Sequence, residues 1–497
     1  ASRIPVAGSA YTYAYASFGE LFAWIIGWAL IMEYSIGNIY VAYSWSDYFT
    51  SFMSKLNVHI PEYLSTSYME AKHTIEGGGT NADDIAAWNN APMLGSLRII
   101  FDLPALVINL LITYLVYRGI KESRNFSNVM VLLKLAVVGL IILVGGYLVF
   151  SNGLTFNWTP ANDEGVKSFM PNGFSGVMTA VAGVFFAYIG FDAVSVLAEE
   201  SKNPQRDLPR GMVLSLVICT VIYILLTLVL TGAVHYKNFD GVGDPLAFIF
   251  EPQNLNIGWM QFLVSICAVV AMTSVLLVFQ MGQPRIWMSM SRDGLLPPVF
   301  QKIHPKFKTP SFATIITGLV VGVPILFTDK TFVLDFTSIA TLFAFVLVCG
   351  GVLLIPRKEK VAGRFHLPYI NGQFIFPVIV IGAMILAQTL SKNYFAGLFN
   401  FDFSGNEEYT TGKTSFMQLA MPNISLIVFW ISALLLAVLA FVKKYSLIPL
   451  MGLITCLYLL TGMTAMNWAW FLAWLGIGLV VYFLYGYKKS KLATTTA

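Results

Sequence analysis

Charge is scarce in this chain: only 11% of its 497 residues are Asp, Glu, Lys or Arg, where a soluble domain carries about 25%. With 57% apolar residues and a mean hydropathy of +0.71, the shortage makes lipid the main solvent. Cysteine is sparse too. Cys219, Cys267, Cys349 and Cys456 fall in four different apolar runs, with no CxxC pair. They read as small buried residues rather than as a disulfide framework or a metal site. The histidines, His59, His73, His235, His304 and His366, read as loop residues without i, i+4 pairing, so neither a metal nor another cofactor is expected. A net charge of +4, spread over many loops, gives no footprint for a nucleic acid. HExxH and GxSxG motifs are missing, which argues against an intramembrane hydrolase, and no run carries the regularly spaced arginines of a voltage sensor.

Long apolar runs are what the chain has in quantity. Twelve stretches, near 19–49, 97–117, 126–150, 174–197, 211–234, 257–284, 311–328, 332–355, 373–391, 423–442, 446–464 and 468–486, run with few charges. Each is long enough for a transmembrane helix, so the chain reads as an all-α membrane protein with twelve spans. An even count places both ends on one side. The loops of that side hold 21 of the 30 basic residues, which predicts a multi-pass cell-membrane protein with both ends cytoplasmic. Residues 1–18 read as a cytoplasmic loop and 487–497 as a basic cytoplasmic tail. The segment 54–96, with Gly77-Gly78-Gly79 and Asp83-Asp84, reads as an external loop, solvated rather than folded into a small cap.

Ionisable residues inside the runs are costly, so they mark partners or cavities. Glu33 lies about 21 Å along its helix from Gly19, and Lys134 about 14 Å from Asn125. They form either a structural ion pair or a titrating site, because desolvation moves a lysine towards neutrality. The run Val184-Phe185-Phe186-Ala187-Tyr188-Ile189-Gly190-Phe191-Asp192 places a glycine and an acid among aromatics. Either Gly190 marks close helix packing, or the helix is interrupted there beside a cavity, offering carbonyls to an ammonium and N–H groups to a carboxylate. Asp192 then reads as a cap on the broken backbone.

Four segments carry a family resemblance: Ser2-Arg3-Ile4-Pro5-Val6-Ala7-Gly8-Ser9-Ala10-Tyr11-Thr12-Tyr13; Gly27-Trp28 with Glu33-Tyr34; Phe185 to Asp192 followed by Ala198-Glu199-Glu200-Ser201-Lys202-Asn203-Pro204-Gln205-Arg206-Asp207-Leu208-Pro209; and Met290-Ser291-Arg292-Asp293-Gly294-Leu295-Leu296-Pro297. In order and spacing the chain resembles the cationic amino acid transporter branch of the amino acid–polyamine–organocation superfamily, its bacterial members most of all. The resemblance implies an inverted five-helix repeat fold with additional C-terminal helices. The twelve runs correspond to family helices three to fourteen: 19–150 to the rest of the first repeat, 174–355 to the second, and 373–486 to four added helices. Family helices one and two, with half of the substrate site, then precede Ala1.

The same resemblance assigns roles. The backbone of Phe186, Ala187, Tyr188 and Ile189 faces the substrate ammonium, Gly190 permits the unwinding, and Glu33 lines the pocket. Lys134 takes the place of a sodium ion and couples transport to protons, leaving Thr273 and Ser274 without a sodium to bind. Arg206 and Asp207 can pair across a loop whose prolines end one helix and start the next, as structure or as an inner gate. Arg285, with Gln283-Pro284 and Arg292-Asp293-Gly294, caps the cytoplasmic end of its helix, again as structure or as an inner gate. The expected function is secondary active transport, a permease or symporter that takes amino acids, cationic or small neutral, with protons by alternating access. The alternatives are a polyamine or amine transporter and a substrate-sensing receptor of the same fold.

Overall fold

A computed structural model describes residues 11, 19–77, 79, 81–95, 97–119, 124–161, 165, 167–190, 203–354, 368–404, 409 and 414–490. The chain is mostly helical. In hydrocarbon no water pairs with backbone N–H and C=O, so each apolar run must satisfy its own hydrogen bonds. Among the described residues eight helices are long and apolar enough to cross a membrane: α1 (Glu20–Lys55), α5 (Arg124–Ser151), α7 (Pro204–Ala233), α8 (Gly258–Arg292), α10 (Lys330–Leu354), α11 (Gly372–Leu390), α12 (Phe416–Lys443) and α14 (Ala465–Val481) with its continuation to Lys489. Four other expected spans hold shorter helices: α4 (Leu103–Tyr117), α6 (Gly173–Val184), α9 (Ser311–Ile325) and α13 (Leu447–Leu460). At ~1.5 Å per residue these fall short of a ~30 Å core.

The molecule is organised around α1. Of its most apolar window 83% is buried, against 6% for α7, so α1 is the hub and α7 faces outward. Its partner α8 runs antiparallel to it, and three contacts fix the register. The Trp45 indole donates to Thr273 Oγ1 at 2.9 Å, Tyr34 meets Phe279 edge-on at 5.4 Å, and Gln283 Nε2 donates to Ser35 Oγ at 2.5 Å. On its other side α1 meets α14 through stacked indoles, Trp24 on Trp28 at 5.5 Å and Trp28 on Trp474 at 4.9 Å. An indole N–H buried in lipid needs an acceptor. Trp24 donates to the Gly478 carbonyl, while Trp28 and Trp474 each donate to the other's carbonyl.

The segment 54–96 is a folded cap, against the expectation of a solvated loop. Ser67 caps α2 (Tyr68–Glu76) and Asn81 caps α3 (Ala82–Asn90) through their side chains. A two-residue hairpin, β1 (Met93–Leu94) with β2 (Leu97–Arg98), follows. Ala71, Ala87, Ala91 and Ile100 bury a small core beside Tyr63, Tyr68 and Trp88. Composition hides this core because it is built of alanine. Asp102 then anchors the cap to the bundle, accepting from Ala105 N as the N-cap of α4 and from Ser46 Oγ of α1 at 2.6 Å.

Other details differ from expectation. Pro204 opens α7 as its first residue, but Pro209 lies inside the helix and ends nothing, because helix-compatible φ suits the ring near an N-terminus, where few backbone bonds are lost. His73 belongs to α2, and His235 caps a short 3-10 turn. The four cysteines are free, Cys456 buried and the other three half-buried.

The α1–α14 contact makes a paired test. A Cβ at Gly478 would meet the Trp28 ring at 2.5 Å, whereas one at Gly476 meets nothing within 4 Å. Gly478→Ala is expected to destabilise by about 1–3 kcal/mol through overpacking, and Gly476→Ala to be neutral or stabilising by up to about 1 kcal/mol. Thermal unfolding in detergent should therefore lower Tm for the first variant only.

Candidate functional site

The apolar run before Gly190 does break. α6 ends at Val184, a 3-10 turn covers Phe185–Tyr188, and Gly190 has φ +106°, a backbone region that side chains rarely enter. No atom of the described residues lies within 4 Å of a Cβ at Gly190. Backbone conformation is by itself reason for glycine here.

Neighbouring helices hold the broken segment in place. Tyr223 Oη, on α7, donates to the Ala187 carbonyl at 2.9 Å. One turn earlier Thr220 Oγ1 lies 3.0 Å from Tyr188 Oη, and the Tyr188 and Tyr223 rings meet edge-on at 5.5 Å. Phe185 packs against Phe345 of α10 at 5.9 Å, and Ile189 packs against the cluster that contains Trp24, Ile31 and Tyr34 of α1. The segment is therefore a junction of α6, α7 and α10, with Ile189 at the edge of the cluster to which α1 contributes. A carbonyl that leaves helical pairing carries two lone pairs, so Ala187 O can keep Tyr223 and still accept from a ligand.

Glu33 is 1% exposed within α1, next to Tyr34 of that same cluster. Lys134 is half-buried within α5. Thr273, set aside as a sodium ligand, has its hydroxyl engaged: it accepts from the Trp45 indole and donates to the Val269 carbonyl at 2.8 Å. Asp192 lies outside the described residues, as does the side chain of Phe186. Arg206 and Asp207 are exposed neighbours in the first turn of α7 and form no ion pair with each other. Arg285, half-buried, sits inside α8 and not at its end. The end is made by Asp293 and Gly294, the latter at φ +86°, with Tyr11 Oη donating to Asp293 Oδ2 at 2.6 Å.

Tyr223, Thr220 and Phe345 escape a reading of sequence alone. Each is an ordinary residue of an apolar helix until the break is placed against it. Only the i, i+3 spacing of Thr220 and Tyr223, a polar pair on one face of α7, hints at a role.

Residues 1–402 match the amino acid permease family, and residues 445–490 match the C-terminal region of such permeases. The chain belongs to the amino acid permease family. It is 35% identical over 492 residues to a branched-chain amino acid permease of Bacillus subtilis, covering 99% of this chain and 82% of that protein. A methylthioribose transporter of the same organism is 40% identical over 386 residues, 77% of this chain and 74% of its own length. A vacuolar cationic amino acid transporter of Arabidopsis thaliana is 35% identical over 355 residues, 71% and 53% of the two lengths. The family consists of transporters and not enzymes, and this member is a multi-pass membrane protein.

The Tyr223 hydroxyl offers a test of the junction. Tyr223→Phe removes one hydrogen bond, worth about 0.5–1.5 kcal/mol, while keeping the ring against Tyr188. Substrate affinity is expected to change about twofold to tenfold with little change in Tm. An unchanged affinity would detach the Ala187 carbonyl from recognition.

Proposed function

We propose that this chain is a proton-coupled amino acid permease that works by alternating access around the broken helix at 185–190. The observation that carries the reading is the end of α6 inside an apolar run, with a 3-10 turn at 185–188 and glycine at positive φ after it. Such backbone persists at membrane depth only beside protein or a water-lined cavity. Carbonyls from 186–189 suit an ammonium, which donates several hydrogen bonds and carries charge. Glu33, buried on the neighbouring α1, adds a carboxylate to that side of the pocket. Membership of the amino acid permease family supports amino acids as the solutes.

Coupling falls to Lys134. A fixed ammonium bridges helices as a bound sodium ion would, and losing its proton removes the bridge, so an inward proton gradient can drive the cycle. The engaged Thr273 hydroxyl fits a design without sodium. The twelve-span topology, with two inverted repeats at 19–150 and 174–355, both ends in the cytoplasm of a cell-membrane protein, and the cap on the outer face, completes the reading. Arg206, Asp207 and Arg285 then lie at the inner face as structural or gating residues. A second reading, uptake of a thioether sugar, is favoured by the 40% identity to the methylthioribose transporter.

Uptake into proteoliposomes of radiolabelled branched-chain, cationic and small neutral amino acids, with methylthioribose alongside, separates these readings. Amino acid accumulation driven by an inward proton gradient and indifferent to sodium is expected, and Lys134→Ala should abolish it with expression intact. Sodium-dependent uptake that ignores pH would overturn the coupling, and uptake of methylthioribose alone would replace the solute.

A further inference from the structure

Along the α1–α8 seam runs a set of buried polar side chains whose hydrogen bonds do not balance. Ser35 and Asn38 lie one turn apart on α1, and Gln280 and Gln283 one turn apart on α8. The antiparallel register that joins Ser35 to Gln283 places Asn38 at the level of Gln280. Two more helices close this layer. Gln280 Nε2 donates to Asn109 Oδ1 of α4 at 2.7 Å, and Asn109 Nδ2 donates at 3.1 Å to the carbonyl of Gly318 on α9, the residue after Thr317. Asn38, Gln283 and Thr317 are 0% exposed and Gln280 is 1% exposed.

The partners fix how each amide is turned. The Gly318 carbonyl can only accept, so Asn109 presents Oδ1 to Gln280, which donates through Nε2 and keeps Oε1. The Ile31 carbonyl, 3.3 Å from Gln283 Nε2, fixes Gln283 in the same way. Five atoms then lack a protein partner among the described residues: Gln280 Oε1, Gln283 Oε1, Thr317 Oγ1, and Asn38 Oδ1 and Nδ2. A buried threonine in a helix has a ready acceptor four residues back. Ser35, Thr314, Thr337 and Thr341, on α1, α9 and α10, all use theirs. Thr317 does not use the Ala313 carbonyl, so its hydroxyl is left for something else.

We propose that these five atoms frame an internal binding site for ordered water, which links α1, α4, α8 and α9 inside the membrane. The ligand must accept from Asn38 Nδ2 and donate to the two glutamine oxygens. A cation cannot accept a hydrogen bond, and these groups include no carboxylate to offset its charge. Water both donates and accepts. One buried water makes about three hydrogen bonds, so five atoms call for about two molecules. Bound there, water lets the four helices share hydrogen bonds without each pair of side chains touching. The site stands apart from the proposed substrate pocket: at about 100° per residue, Asn38 and Ser35 point about 140° and about 200° around α1 from Glu33. The inference goes beyond the permease reading and does not rest on it.

Electron cryomicroscopy of the full protein in nanodiscs without solute, at a resolution that shows ordered water, reads the site directly. Water density is expected within about 3.2 Å of Gln280 Oε1 and of the Asn38 amide. Thr317→Val tests the site by sign, because it keeps the shape of the side chain and deletes one hydroxyl. With water bound, the change leaves that water short of a partner, and Tm in detergent should fall by about 1–3 °C. In a dry site it removes an unmet polar group, and Tm should hold or rise. Dry contact among these side chains in the density would overturn the proposal, as would a ligand held by oxygens alone at about 2.4 Å, the distance of a bound cation. An unchanged or higher Tm in Thr317→Val would overturn it as well. Neither readout depends on transport, so failure here and failure of the permease reading stay distinguishable.

Discussion

The rest of the structure depends on the antiparallel seam between α1 and α8. Three polar or aromatic contacts, Trp45 to Thr273, Tyr34 to Phe279 and Ser35 to Gln283, set its register over most of two long helices. Lipid provides little hydrophobic drive between helices, so packing and interhelical hydrogen bonds decide how they meet. With the seam fixed, α1 presents Trp24 and Trp28 to α14, Tyr43 Oη to the Ile325 carbonyl at the end of α9, and Asp47 to Lys330 at the start of α10. A single buried helix thereby ties α8, α9, α10 and α14 together, and through Asp47 and Lys330 it reaches the cap.

Against this rigid frame the 185–190 segment is the exception to continuous helix. Its irregular backbone is held by side chains, with Tyr223 on the Ala187 carbonyl, Thr220 against Tyr188 and Phe345 against Phe185. A junction maintained from outside can change pairing when the surrounding helices shift. On the function proposed above, that freedom lets one point in the membrane serve both the substrate and the conformational change.

How much of this the residues reveal in advance depends on the scale of the signal. Hydropathy marks every helix of the bundle, because a run of apolar residues in lipid has few alternatives. It does not mark their lengths: α4, α9 and α13 are shorter than the runs that announce them, since turns and caps also contain apolar residues. Gly190 among aromatics was legible as a break or a packing glycine, and its φ decides for the break. Tyr223 was not legible, because a partner on another helix leaves no trace in local sequence. The cap is hidden for a similar reason. Alanines at 71, 87 and 91 look bland in composition and become a core only when two short helices cross. Lys330 likewise reads as one outer loop charge until Asp47 and Glu70 converge on it.

The most direct test of the account is a substrate-bound structure of the full protein in a lipid nanodisc, determined by electron cryomicroscopy with a transported amino acid present. The account predicts ligand density beside 186–190, with the ammonium within hydrogen-bonding distance of carbonyls from that segment and with Tyr223 still at Ala187. Ligand density remote from the break, or a continuous α-helix through Gly190 in the bound state, would contradict it.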